Sequence, residues 1–152
     1  MDQTKPLIDV SLFLHGDSLN PAQVTLMLGT EGSKTRSKGE KWRTSTDHEV
    51  TAKTGLWQLS ASRESMSVRD QLSWLRQKLS SATCPPSRIP GVQYADIDVF
   101  IALGSNDQGG GDHEFQLSSE DLAWISSLGT TISFTLTYAR EEPQDIIGQQ
   151  EK

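Results

Sequence analysis

The sequence predicts an α+β domain in which duplicated β-α-β units form one four- to five-stranded sheet, with helices packed on one face and the other face open. Three observations carry this. Residues 7–15, 93–103 and 131–138 alternate apolar and polar side chains with the period of a strand. Three segments with helical spacing open on a capping residue, at Asn20, Ser67 and Ser118. The chain also echoes itself. Ile8-Asp9-Val10, with a later helix start at Leu19-Asn20 and Val24, resembles Ile97-Asp98-Val99, with a later start at Leu117-Ser118 and Leu122.

In the first strand, Ile8, Val10, Leu12 and Leu14 are expected to face the core, with Asp9, Ser11 and Phe13 facing away. Asn20 caps a short helix whose first position is Pro21, where a missing N–H costs nothing. Val24, Met27 and Leu28 give its buried side and Gly29 ends it. Residues 30–54 read as a long polar irregular connection with a short strand near 49–52. Residues 55–61 read as a strand. A helix over 67–81 presents Val68, Leu72, Leu75 and Leu79 as its stripe, and the prolines of 84–91 stop it. The strand at 93–103 turns Ala95, Ile97, Val99, Ile101 and Leu103 inward, and Asp96 and Asp98 outward. Residues 105–113 read as a flexible Gly-rich loop, and 113–117 as a short strand. Ser118 and Asp121 form a capping box, with Leu117 and Leu122 as its hydrophobic staple. Leu122, Ile125 and Leu128 are expected to share the buried face, and Gly129 to supply the left-handed cap. In the last strand Ile132, Phe134, Leu136 and Tyr138 point to the core, and Thr131, Ser133, Thr135 and Thr137 to the open face. The expected domain therefore spans 1–139. Its half-units lie at about 7–61 and 93–139, joined by helix 67–81, and 140–152 form a flexible acidic tail.

The 152 residues carry a net charge of −6, which argues against nucleic-acid and anionic-membrane binding and suits a basic protein partner. Cys84 is the single cysteine, so an internal disulfide is excluded and a reducing cytoplasmic setting is expected. The first residues lack the basic and apolar regions of a signal peptide, and no apolar run has the ~20 residues of a membrane helix.

The first strand with its Asn20-Pro21 helix, Arg36-Ser37-Lys38-Gly39-Glu40, Gly55-Leu56-Trp57, the Leu72/Leu75/Leu79 helix and the 115–138 segment together resemble the bacterial family labelled domain of unknown function 4279. The resemblance covers roughly residues 7–139. It implies small cytoplasmic proteins without an assigned activity, some of them suspected immunity proteins that neutralise secreted bacterial toxins.

Candidate chemistry is sparse. Asp47-His48-Glu49, Asp112-His113-Glu114 and His15 offer imidazole and carboxylate groups, but at spacings that do not favour a metal site. No metal, cofactor or catalytic residue is expected. Lys34, Arg36, Lys38, Lys41 and Arg43 form the one basic run, with Trp42 inside it as a possible interface anchor. The expectation is a non-enzymatic protein-binding protein, of the immunity kind that the resemblance implies. The candidate contact residues are Asp96, Asp98, Asp107, Asp112, Arg36, Lys38 and Trp42. The alternatives are a metal-dependent hydrolase built on the loop histidines and carboxylates, and a ligand-sensing accessory domain.

Overall fold

The computed structural model describes residues 6–61, 66–103 and 114–138. The elements run β1 (Leu7–Gly16), α1 (Pro21–Leu28), β2 (Lys34–Arg36), β3 (Lys41–Arg43), β4 (Glu49–Thr51), β5 (Gly55–Ser60), α2 (Val68–Lys78), β6 (Tyr94–Leu103), α3 (Ser119–Ser127) and β7 (Thr131–Tyr138), with a 3-10 turn at Pro86–Arg88 before β6. Five strands form one open sheet in the order β2-β5-β1-β6-β7, and β3 and β4 form a separate hairpin. The architecture is α+β, as the alternation implies.

β1 lies at the centre. It pairs antiparallel with β6 from Leu7 to His15 and with β5 from Ser11 to Gly16. Its N-terminal half therefore outruns β5. The amide of Gln71, on α2, fills the gap: Val10 N–H donates to Gln71 Oε1 (2.8 Å), and Gln71 Nε2 donates to the Ile8 carbonyl (2.8 Å). Ala61 N–H closes the remaining Val10 carbonyl. Gln71 is fully buried, an amide among otherwise apolar and aromatic side chains of the described core. A buried amide with all of these partners satisfies backbone groups that would otherwise be orphaned.

The helices share one face of the sheet. Val24 and Leu28 of α1, Leu72 and Leu75 of α2, and Ile125 of α3 with the adjoining Leu128 belong to one cluster with Leu12, Leu14, Trp57, Ile97, Val99 and Ile101. Trp57 donates from Nε1 to Thr25 Oγ1 at 3.1 Å, fixing α1 against β5. Arg76 reaches Glu120 at 3.0 Å and so links α2 to α3 at the surface. Caps form at each start: Asn20 accepts from Ala22 N and Gln23 N, Ser67 from Asp70 N, and Ser118 with Asp121 makes a full capping box. Gly129 turns with φ 67° after α3. Gly16 is required for a different reason: a Cβ there would lie 1.8 Å from the Gly91 carbonyl oxygen.

Several expectations need correction. Residues 30–54 hold three short strands, of which β2 joins the main sheet. Residues 114–117 are not a strand, and the Gly-rich loop and the tail after 138 lie outside the described residues. The duplication is not confirmed: β1 and β5 run antiparallel, whereas β6 and β7 run parallel. Leu122 is 49% exposed. At about 100° per residue, Asp121, Trp124, Ile125 and Leu128 share one sector and Leu122 falls about 60° beyond Ile125, outside it. Asp121, mostly screened by its capping role, takes the inner position that the apolar spacing assigns to Leu122. Phe134, Leu136 and Tyr138 are also exposed; only Ile132 of that row packs against the core.

Ile101→Ala should lower the unfolding free energy by about 2–5 kcal/mol, as a large-to-small change in a closed core. Leu122→Ala should cost under about 1 kcal/mol. Urea melts of both variants check the contrast.

Candidate functional site

The face of the sheet opposite the helices carries side chains of the other parity, and the strand register sets them in rows. One row reads Arg36, Leu56, His15, Tyr94. The next reads Lys34, Gln58, Phe13, Asp96, Thr131. Ser60, Ser11, Asp98 and Ser133 follow, and then Asp9, Phe100 and Thr135. The face thus has a basic edge at β2, an aromatic and acidic middle, and a hydroxyl edge at β7.

The acids are held. Asp96 Oδ1 accepts from Thr131 Oγ1 (2.7 Å) and Ser133 Oγ (2.9 Å), and Asp98 Oδ1 accepts from Thr135 Oγ1 (3.0 Å). Asp9 accepts from Ser60 Oγ, which also lies against Ser11 Oγ. These bonds stitch β6 to β7 and β1 to β5 on the open side. Charge-assisted bonds of this kind are among the stronger ones and fix carboxylate orientation. Asp96 is only 8% exposed and Ser11 only 3%. The acids at the middle of this face are therefore packed and hydrogen-bonded, not freely solvated.

Phe13, His15 and Tyr94 form the aromatic part. The rings of Phe13 and His15 are parallel, 6.2 Å apart, and Tyr94 is tilted to His15 at 6.3 Å. Partial burial among them lowers the His15 pKa below the ordinary 6.5, and the negative charge of Asp96 opposes that shift.

At the basic edge, the Arg36 guanidinium lies 3.3 Å from the centre of the Trp42 ring, so the β3–β4 hairpin folds onto the end of β2. Arg36 Nε is buried without a hydrogen-bond partner among the described residues. Lys38 pairs with Asp17, Lys41 with Glu49 and Arg43 with Asp47. Most of the basic run is thus answered by nearby acids at the surface, where such pairs contribute little to stability. Beside Arg36, an open cleft of about 630 Å³ lies between the start of α1 and β2, walled also by Glu31 and Glu40.

Of the expected contact residues, Asp96 and Asp98 stand together on β6, and Arg36 and Trp42 meet at the β2 edge, with β1 and β5 between the two groups. Lys38 lies in the turn after β2. Asp107 and Asp112, like His113, lie outside the described residues. Among the described residues, no three of His, Cys, Asp and Glu converge as metal ligands would, and no helix is long and apolar enough to cross a membrane. The sequence reading did not single out Phe13, Tyr94 and Phe100 as site residues. Their parity within the alternating strands was the available signal.

The His15 shift has a pH consequence. An imidazole with a lowered folded pKa binds fewer protons than the unfolded chain, so stability rises with pH in this range. The contribution is complete above 6.5 and is lost as the pH falls through 6.5 toward the lowered folded value. Urea melts between pH 8 and pH 5 should show this loss, and His15→Gln should flatten it.

No curated protein and no solved structure matches the chain. The family described as "Domain of unknown function (DUF4279)" matches residues 3–139, from ahead of β1 to the end of β7 and so across the whole sheet, and the chain belongs to that family.

Proposed function

We propose that the protein acts by binding another protein on the open face of its sheet, and that it neutralises that partner as an immunity protein does, in the cytoplasm. The observation that carries the reading is the face itself: half-buried Phe13, His15 and Phe100 and half-exposed Tyr94 among aspartates already fixed by hydroxyls. Aromatic anchors beside preorganised charges lose little freedom on binding, which favours a protein contact. The carboxylates in the middle suit a basic partner surface.

The test uses binding kinetics between the full chain and a partner co-purified with it. Tyr94→Ala and Asp98→Asn should each speed dissociation, with a cost of about 2–5 kcal/mol for the aspartate if its charge is buried against a cation. The competing surface is the Arg36–Trp42 edge. If Tyr94→Ala and Asp98→Asn bind like the wild type while Trp42→Ala abolishes binding, the open face is not the interface.

A further inference from the structure

The two edges of the main sheet differ in kind. β2 is three residues long and carries Lys34 and Arg36. Short length and charge are the usual protections of a strand edge. β7 has eight residues, TISFTLTY, with no charge, proline or glycine. Among the described residues its outer side pairs with nothing. On the face that the helices cover elsewhere, it leaves Phe134 48%, Leu136 52% and Tyr138 68% exposed.

We propose that β7 is the seam of a symmetric dimer, in which it pairs antiparallel with β7 of a second copy and joins two five-stranded sheets into one. A two-fold axis keeps each side chain on its own face only if facing positions have the same parity. With Thr135 opposite its own copy, Phe134 faces Leu136 of the second copy and Ile132 faces Tyr138. On the other face Ser133 meets Thr137. All four apolar side chains of the strand then find apolar partners, and the hydroxyl edge meets hydroxyls; both kinds of cross-strand pair are favourable. Charge at the strand does not oppose this occupant. The chain carries −6, and a charge-free strand lets two copies approach without opposing like charges at the seam.

Light scattering on the full chain tests this. The wild type should weigh twice 16.8 kDa, shifting toward 16.8 kDa on dilution. The doubly substituted Phe134→Lys/Leu136→Lys chain should be monomeric with an unchanged far-UV spectrum, because each lysine then faces a lysine. Phe134→Glu/Leu136→Glu should be monomeric in the same way. An equimolar mixture of the two should recover the dimer mass, an outcome that misfolded variants cannot produce. A wild-type mass of 16.8 kDa up to sub-millimolar concentration, a dimer that survives the lysine pair, or a mixture that stays monomeric overturns the proposal.

Discussion

The architecture depends on keeping β1 hydrogen-bonded along both sides. It is the strand between β5 and β6, and its core residues Val10, Leu12 and Leu14 are fully buried. A buried backbone group without a partner costs about 1–3 kcal/mol. β6 serves one side for nearly the whole length, but β5 stops short on the other. The Gln71 amide completes the ladder by donating and accepting as a strand residue would. Because Gln71 belongs to α2, the same bonds hold that helix over the N-terminal half of β1. The backbone's need and the placement of the helix layer are met by one side chain.

With the apolar layer gathered on that side, the opposite face is left to polar chemistry. There the strands are tied by side chains as well as by backbone: Asp96 and Asp98 to the hydroxyls of β7, Asp9 to Ser60. β7 is the strand that most needs such ties. It is an edge strand, and only Ile132 of its apolar row packs against the core. The acids that give the face its charge are therefore also fasteners, and a change at Asp96 should be read for its effect on β7 before any effect on a partner.

The sequence was informative where periodicity and burial coincide. β1, β6 and α2 have closed cores on the expected parity, and the three helix starts follow from cap chemistry. It was less informative where an element sits at the margin. β2 and β3 are three residues each, too short for alternation to show. In β7 the alternation tells which way side chains point but not whether anything covers them. In α3 the inner sector includes Asp121, so counting apolar residues rotates the helix toward Leu122. Gln71 did leave a signal: it lies three residues after Val68, inside the stripe of Val68, Leu72 and Leu75, where an amide needs a reason to be. At the site, the Asp-x-Asp of β6 and the alternating hydroxyls of β7 were each visible, but their meeting depends on the parallel pairing of those strands, a long-range fact.

Gln71→Met tests the central interaction, because methionine keeps much of the side chain's length and removes both hydrogen bonds to β1, along with the one to the Met66 carbonyl. If Gln71 completes the β1 ladder, the unfolding free energy should fall by roughly 2 kcal/mol or more, with faster hydrogen exchange at the Val10 amide while the Leu12 amide stays protected. A variant within about 0.5 kcal/mol of the wild type, with unchanged exchange at Val10, would contradict it.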